Sequence, residues 1–271
     1  MERINIYRVN HFKKHIYYCK PFIEYNVNDY SENNINHLNN FYSEFCCTWD
    51  IYKNNKYSKY IGFDHYRRVF PFHMSNDIEQ WYNLLDNDYY LYFDFKNLKT
   101  DMNIYKYLVP NSELKYFDLY LCMDRWNVTE LFYDITKKYI NDNYPEIFEN
   151  NQYNPKLYLF IRRNMYICNW KMFLDIAKFV TGWIELINNY YDLNYDYTKH
   201  ANLVFNHFYN KIKEEHAIPC FPWRIQSFLY SYNTYRIYSF ILEFLVSMYI
   251  KSKKHLIFYM YKNSKEDNYF F

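Results

Sequence analysis

Residues Ser58–Phe70 read S-K-Y-I-G-F-D-H-Y-R-R-V-F, and no other stretch constrains the fold as strongly. Tyr60, Ile61 and Phe63 form an apolar run the length of a buried strand, which breaks at once into Asp64, His65, Tyr66, Arg67 and Arg68. Open α/β sheets present ligands in this way, at the carboxyl ends of their strands. The plainer reading is a surface strand end carrying two solvated arginines. Gly62 lies inside the run, where glycine marks a bulge or a close approach of another backbone. Only 2 glycines occur in the chain, so this one is unusual.

The 271 residues can bury a sizeable core as one large domain or two small ones. Tyr 37 and Phe 24 lift the aromatic share to 25%, so tyrosine must build much of that core, with its hydroxyls hydrogen-bonded or at edges. Abundant Tyr, Asn, Lys, Ile and Phe, all encoded by AT-rich codons, explain the enrichment without a functional role. A formal net charge of +2 lacks the electrostatic footprint of a duplex binder, so no nucleic-acid partner is expected. Cys19, Cys46, Cys47, Cys122, Cys168 and Cys220 show no C-x-x-C spacing and fit reduced thiols in a cytoplasmic setting. Met1–Asn10 alternates polar and apolar residues and builds no apolar leader core.

Arg3–Val9 alternates with period two and predicts a first strand, followed by His11 and His15 at a spacing of four. Asn26–Asn40 is rich in Asn, Asp and Ser and predicts a loop. A helix is expected from about Asn39 to Lys53, with Phe41, Phe45, Trp49 and Tyr52 as its buried stripe and Glu44 at the stripe's edge. Asn76–Leu85 and Thr129–Asn143 predict helices, the second stopping before Pro145. Tyr89–Phe95, Leu157–Phe160 and Met165–Cys168 predict strands, and Trp170–Asn188 a helix. Asn189–Asn210 is polar and tyrosine-rich. In a last helix, Arg236, Ser239, Glu243 and Ser247 fall on one narrow stripe, either the wall of a site or an Arg236–Glu243 structural pair. Tyr235–Ile250 is too short and polar to span a bilayer. Lys251–Lys254 and the apolar run Leu256–Tyr261 predict a basic, aromatic tail, read as a solvated helix end or a peripheral membrane contact. The expected organisation is one domain over 1–250 and a tail over 251–271.

These residues resemble the bacterial glycosyltransferase-like family catalogued as domain of unknown function 4422. Its pattern N-I-S-x-x-N-x-x-Y-C-E-L-T, then Y-I-G-L-C-H-Y-R-R-Y-F, is similar to Asn34–Cys46 (N-I-N-H-L-N-N-F-Y-S-E-F-C) and Tyr60–Phe70. The opening I-N-I-Y-R-V-N-H resembles the family's first strand, with His11 on its histidine. Asn164–Ile167 resembles its N-M-F-I strand, and Tyr235–Glu243 its R-x-x-G-F-L-x-E element. Ser239 replaces a glycine there, Phe244 an arginine, and Asp64 stands where a cysteine or apolar residue is usual.

The resemblance implies an α/β, Rossmann-like sandwich of the glycosyltransferase A type with a helical C-terminal part. It also implies transfer from a nucleotide-sugar donor to a saccharide acceptor, in surface polysaccharide or glycan synthesis. A non-catalytic carbohydrate- or nucleotide-binding descendant of the fold is the alternative. Arg67 and Arg68 would grip the donor phosphates, because guanidinium groups stay charged and bind phosphate oxygens in a fork. His65 would serve as a further donor or as acid/base. Asp64, Glu44 and Glu243 are candidate bases, and Asp64 alternatively a ligand for a divalent cation, Mn or Mg. His11, Asn36, Asn39, Tyr66, Asn164 and Arg236 complete the expected substrate contacts.

Overall fold

A computed structural model describes residues 4–10, 22–65, 78–95, 130–147, 164–215 and 236–260. Its centre is a six-stranded sheet: β1 (Ile4–Asn10), β2 (Phe22–Asn26), β3 (Tyr60–His65), β4 (Tyr90–Phe95), β5 (Tyr166–Asn169) and β6 (His255–Met260). The spatial order is β2-β1-β3-β5-β4-β6. β1 pairs in parallel with both β2 and β3, β5 is antiparallel to β3 and β4, and β6 is parallel to β4. Every strand but β5 therefore ends at one edge of the sheet, and β5 begins there.

β2 flanks β1 on one side and β3 on the other, so the winding of the chain reverses between β1 and β3. That reversal opens a crevice at the carboxyl ends of the strands, where open α/β sheets bind ligands.

Strand alternation separates two cores. Ile61 and Phe63 of β3 join the larger one, built with α2 (Phe45–Lys53), α4 (Glu130–Asn143), α5 (Trp170–Tyr190) and α7 (Ile237–Lys251). Tyr60 joins the smaller one with Ile4, Ile6, Leu91 and Ile167, beneath Trp81 and Leu85 of α3 (Ile78–Asp86). Tyrosine does build the larger core: Tyr42, Tyr90, Tyr92, Tyr166 and Tyr238 are fully buried. Their hydroxyls are used where the partners are seen, as in Tyr90 donating to the Met172 carbonyl at 2.9 Å.

Gly62 is a close-approach glycine. A Cβ there would stand 2.9 Å from Ile167 Cγ1, 3.2 Å from the Tyr166 carbonyl oxygen and 3.4 Å from Ile6 Cγ1. The carbonyl belongs to the neighbouring strand and cannot rotate away. Gly62→Ala is expected to cost about 1–3 kcal/mol by overpacking, read as a lower urea midpoint with an unchanged slope; a midpoint equal to wild type would contradict this packing. The other glycine, Gly182, faces Tyr139, whose hydroxyl would lie 2.5 Å from an added Cβ.

With so few glycines, left-handed backbone positions fall to other residues. Asn55, Asp88, Asp192 and Asn194 take four of them, as short polar side chains tolerate that region best.

The polar segment 189–210, assigned no element from its sequence, contains most of α6 (Tyr197–Glu215), opened by Asp196, whose carboxylate accepts from the Lys199 backbone N–H at 2.9 Å. Two expectations change here. The expected helix over 39–53 is two, α1 (Asn39–Tyr42) and α2, broken at Ser43 and preceded by a single 3-10 turn at Asn36–Leu38. Residues 255–260, expected in a tail, are strand β6, paired along its length with β4. That pairing makes 255–260 the edge strand of the sheet, with Leu256 exposed. Leu157–Phe160 lies outside the described residues.

Candidate functional site

The carboxyl edge of the sheet gathers Asn10, Asn26 and His65 at strand ends and Asn164 just before β5. α2 runs back from this edge to the start of β3, and α7 runs back to the start of β6. Glu44 and Arg236, which precede those helices, therefore stand at the same edge. His11, Tyr66, Arg67 and Arg68 directly follow β1 and β3 and lie outside the described residues.

Asp64 does not present a free carboxylate. Arg8 is its register partner on β1. Arg8 Nε donates to Asp64 Oδ2 at 2.8 Å, and Nη2 donates to the same oxygen. The Asp64 side chain is 0% exposed and that of Arg8 8%. On the other side Arg8 pairs in register with Glu24, whose carboxylate accepts from Asn10 Nδ2, and the guanidinium lies 4.8 Å from the Phe22 ring centroid. The Oδ2 of Asp64 is committed to this buried ion pair, which does not fit the free metal ligand or general base expected of it. Among the described residues no three His, Cys, Asp or Glu side chains come together as a metal site.

A second feature at the edge is the break at Ser43. Its backbone takes φ 52° and ψ −131°, a region that residues with a Cβ avoid, and the residue is 1% exposed. Arg236 Nη2 donates to Ser43 Oγ at 3.0 Å, tying the start of α7 to this elbow across 193 residues. Glu44 follows immediately and is 8% exposed. The elbow turns the chain from α1 into α2 and fixes where the Glu44 carboxylate begins.

Residues 10–209 match the family described as domain of unknown function (DUF4422). The chain belongs to the DUF4422 family. A solved structure titled as the apo form of WbbM, a bifunctional glycosyltransferase, superposes with TM-score 0.51 over 92% of this chain and 42% of that one, at 16% identity. At that identity the likeness shows a fold shared with part of WbbM, and the chain spans less than half the length of WbbM. No curated protein gives a significant match.

Within this DUF4422 domain the remaining candidates divide. Asn36 serves the scaffold: its Oδ1 accepts from the Tyr25 hydroxyl at 2.8 Å, and its Nδ2 donates to the Asp29 carbonyl at 2.9 Å. Asn39 opens α1, half-buried. On α7, Ser239 and Ser247 are buried and return their hydroxyls to the carbonyls of Arg236 and Glu243, at 2.9 and 2.8 Å. Arg236 of this stripe reaches another element, and Glu243 is half-buried two turns farther along. Asn164 is 5% exposed.

A buried polar network stands behind the elbow. His200 of α6 is 0% exposed, its Nδ1 3.1 Å from the Tyr238 hydroxyl and its Nε2 3.2 Å from Asn188 Oδ1. The Asn188 oxygen can only accept, so Nε2 carries the proton and Nδ1 accepts from tyrosine. Asn188 Nδ2 donates to the Tyr42 hydroxyl at 3.0 Å, joining α1, α5, α6 and α7. Burial lowers the His200 pKa to about 4. Sequence reasoning passed over Arg8, Ser43 and His200. Arg8 alone carried a signal, as a charge inside an otherwise strand-like apolar pattern.

Proposed function

We propose that this chain is a glycosyltransferase moving a sugar from a nucleotide-diphosphate donor to a saccharide hydroxyl, in surface polysaccharide or glycan synthesis. The observation that carries the proposal is the reversal between β1 and β3, at whose carboxyl edge the D-H-Y-R-R stretch begins. The family and the shared fold support it. Negative charge grows on the departing diphosphate as the glycosidic bond breaks, and preorganised cations lower that barrier. We assign this role to Arg67 and Arg68, with His65 as a further donor or acid/base.

The acceptor hydroxyl needs a base in an inverting reaction. With Asp64 committed to Arg8, Glu44 at the elbow is the leading candidate and Glu243 the second. Cys46, Cys47 and Cys168 are free thiols, fully buried, and burial pushes their pKa values up, which keeps them unreactive. That supports a reducing, cytoplasmic setting. No helix among the described residues is long and apolar enough to cross a membrane.

The engagement of Asp64, with Ser239 and Phe244 in the last helix, favours a second reading: a descendant that binds sugar or nucleotide without turnover. Calorimetry with a panel of nucleotide sugars, with and without Mn²⁺, followed by transfer assays on saccharide acceptors, separates the two. The proposal expects binding of one donor, turnover, and loss of turnover in Arg67→Ala or Arg68→Ala. Binding without turnover would favour the second reading. Folded protein that binds no nucleotide sugar, or two arginine variants at full rate, would overturn the proposal.

A further inference from the structure

Three scaffold amides among the described residues use both of their ends. Asn36 is bonded through Oδ1 and Nδ2, Asn169 accepts from the Met172 N–H and donates to Leu85 and Asp88, and Asn188 holds His200, Tyr195 and Tyr42. Asn164 differs. It is 5% exposed, yet neither Oδ1 nor Nδ2 has a hydrogen-bond partner among the described residues. Burying an amide without partners is costly, and such groups call for an occupant.

Its place in the sheet points to that occupant. Phe63 of β3 and Tyr92 of β4 both stand opposite Tyr166 in antiparallel register. Continuing each register by two residues sets Asn164 between the backbone positions of His65 and Asp94. Asn164 thus occupies the carboxyl edge beside the β1/β3 reversal. An amide offers one acceptor and one donor side by side. Phosphate oxygens only accept, so they would leave Oδ1 unpaired, whereas hydroxyls donate and accept together.

We infer that Asn164 is a ligand-contact residue whose amide grips two neighbouring hydroxyls of a sugar ring. The inference rests on the glycosyltransferase reading and assigns a sugar subsite within that same edge. The hydroxyl pair belongs to the ribose of the nucleotide, to the donor sugar or to the acceptor.

The test uses the full chain and the variants Asn164→Leu, close in size but apolar, and Asn164→Ala. Each is titrated calorimetrically with UDP, UDP-hexoses, GDP-hexoses and methyl hexosides, and its thermal unfolding is recorded. Both variants are expected to lose about 10-fold or more in affinity, since two neutral hydrogen bonds disappear. Asn164→Leu is also expected to melt higher than wild type, by roughly 2–4 °C, because it removes unpaired buried groups. A loss already seen with UDP assigns the ribose, one seen only with nucleotide hexoses the donor sugar, and one seen only with methyl hexosides the acceptor. Wild-type binding with unchanged affinity in both variants would overturn the inference while leaving the glycosyltransferase reading intact. A lower melting temperature for Asn164→Leu would also overturn it, showing that the amide holds the fold. Wild type that binds no probe would overturn that reading and the inference with it.

Discussion

Asp64→Ala is expected to destabilise the protein by about 3–5 kcal/mol, the loss that follows when one member of a buried ion pair is removed. Two donors of Arg8 converge on one oxygen of Asp64, both residues lie on adjacent central strands, and water reaches neither side chain appreciably. Removing the carboxylate leaves that guanidinium facing a cavity. The double variant Arg8→Met/Asp64→Leu is expected to recover most of the loss, since replacing both charges with apolar groups of similar size is often neutral. Urea unfolding of the single and double variants measures both effects. An Asp64→Ala protein as stable as wild type would mean that Asp64 is not a structural ion-pair member, and would restore it as a catalytic or metal-binding carboxylate.

The second large effect is a loss of stability in mild acid through His200. The folded pKa is about 4, below the ordinary histidine value of 6.5. Above the unfolded value both states are neutral and the full stability is present. As the pH falls from 6.5 towards 4, the unfolded chain takes up a proton that the folded one refuses, so stability declines through that window. A separation of this size corresponds to about 2 kcal/mol at pH 5 and about 3 kcal/mol by pH 4. The cause is burial of the imidazole, which disfavours its charged form and outweighs the opposing pull of Asp196. Urea midpoints of wild type and His200→Gln at pH 7 and pH 5 test this. A wild-type decline that the variant does not share is expected; the same decline in both would remove His200 as its source.

Much of this fold was legible where periodicity is strong. β1, β3, β4 and β5 follow alternation or short apolar runs, and α3, α4, α5 and α7 follow helical spacing to within a few residues of their observed ends. β2 escaped because F-I-E-Y-N is five residues beside a loop-like composition, with nothing local to mark it. α6 escaped because its buried stripe includes His200 together with Val204, so a polar residue interrupts the apolar period. Asp196 as an N-cap was the available signal. The apolar run after Lys254 was visible, but its pairing with β4 is a matter of topology, which no local pattern contains.

Of the candidate site, the strand end at Asp64 and His65 was legible, because the apolar run that stops there is a property of residues 60–65 alone. The partner of Asp64 was not, since Arg8 lies 56 residues away and becomes a neighbour only once β1 is known to lie beside β3. Glu44 and Arg236 were picked out separately. That Arg236 bonds to Ser43, the residue before Glu44, depends on a backbone turn that a serine signals poorly.

The most direct test of the central claim is a crystal structure of the protein soaked with the nucleotide sugar that binds best. The account predicts a diphosphate lying across the carboxyl ends of β1 and β3, within reach of Arg67 or Arg68. A nucleotide seated on another face of the molecule, with that edge unaltered, would contradict it.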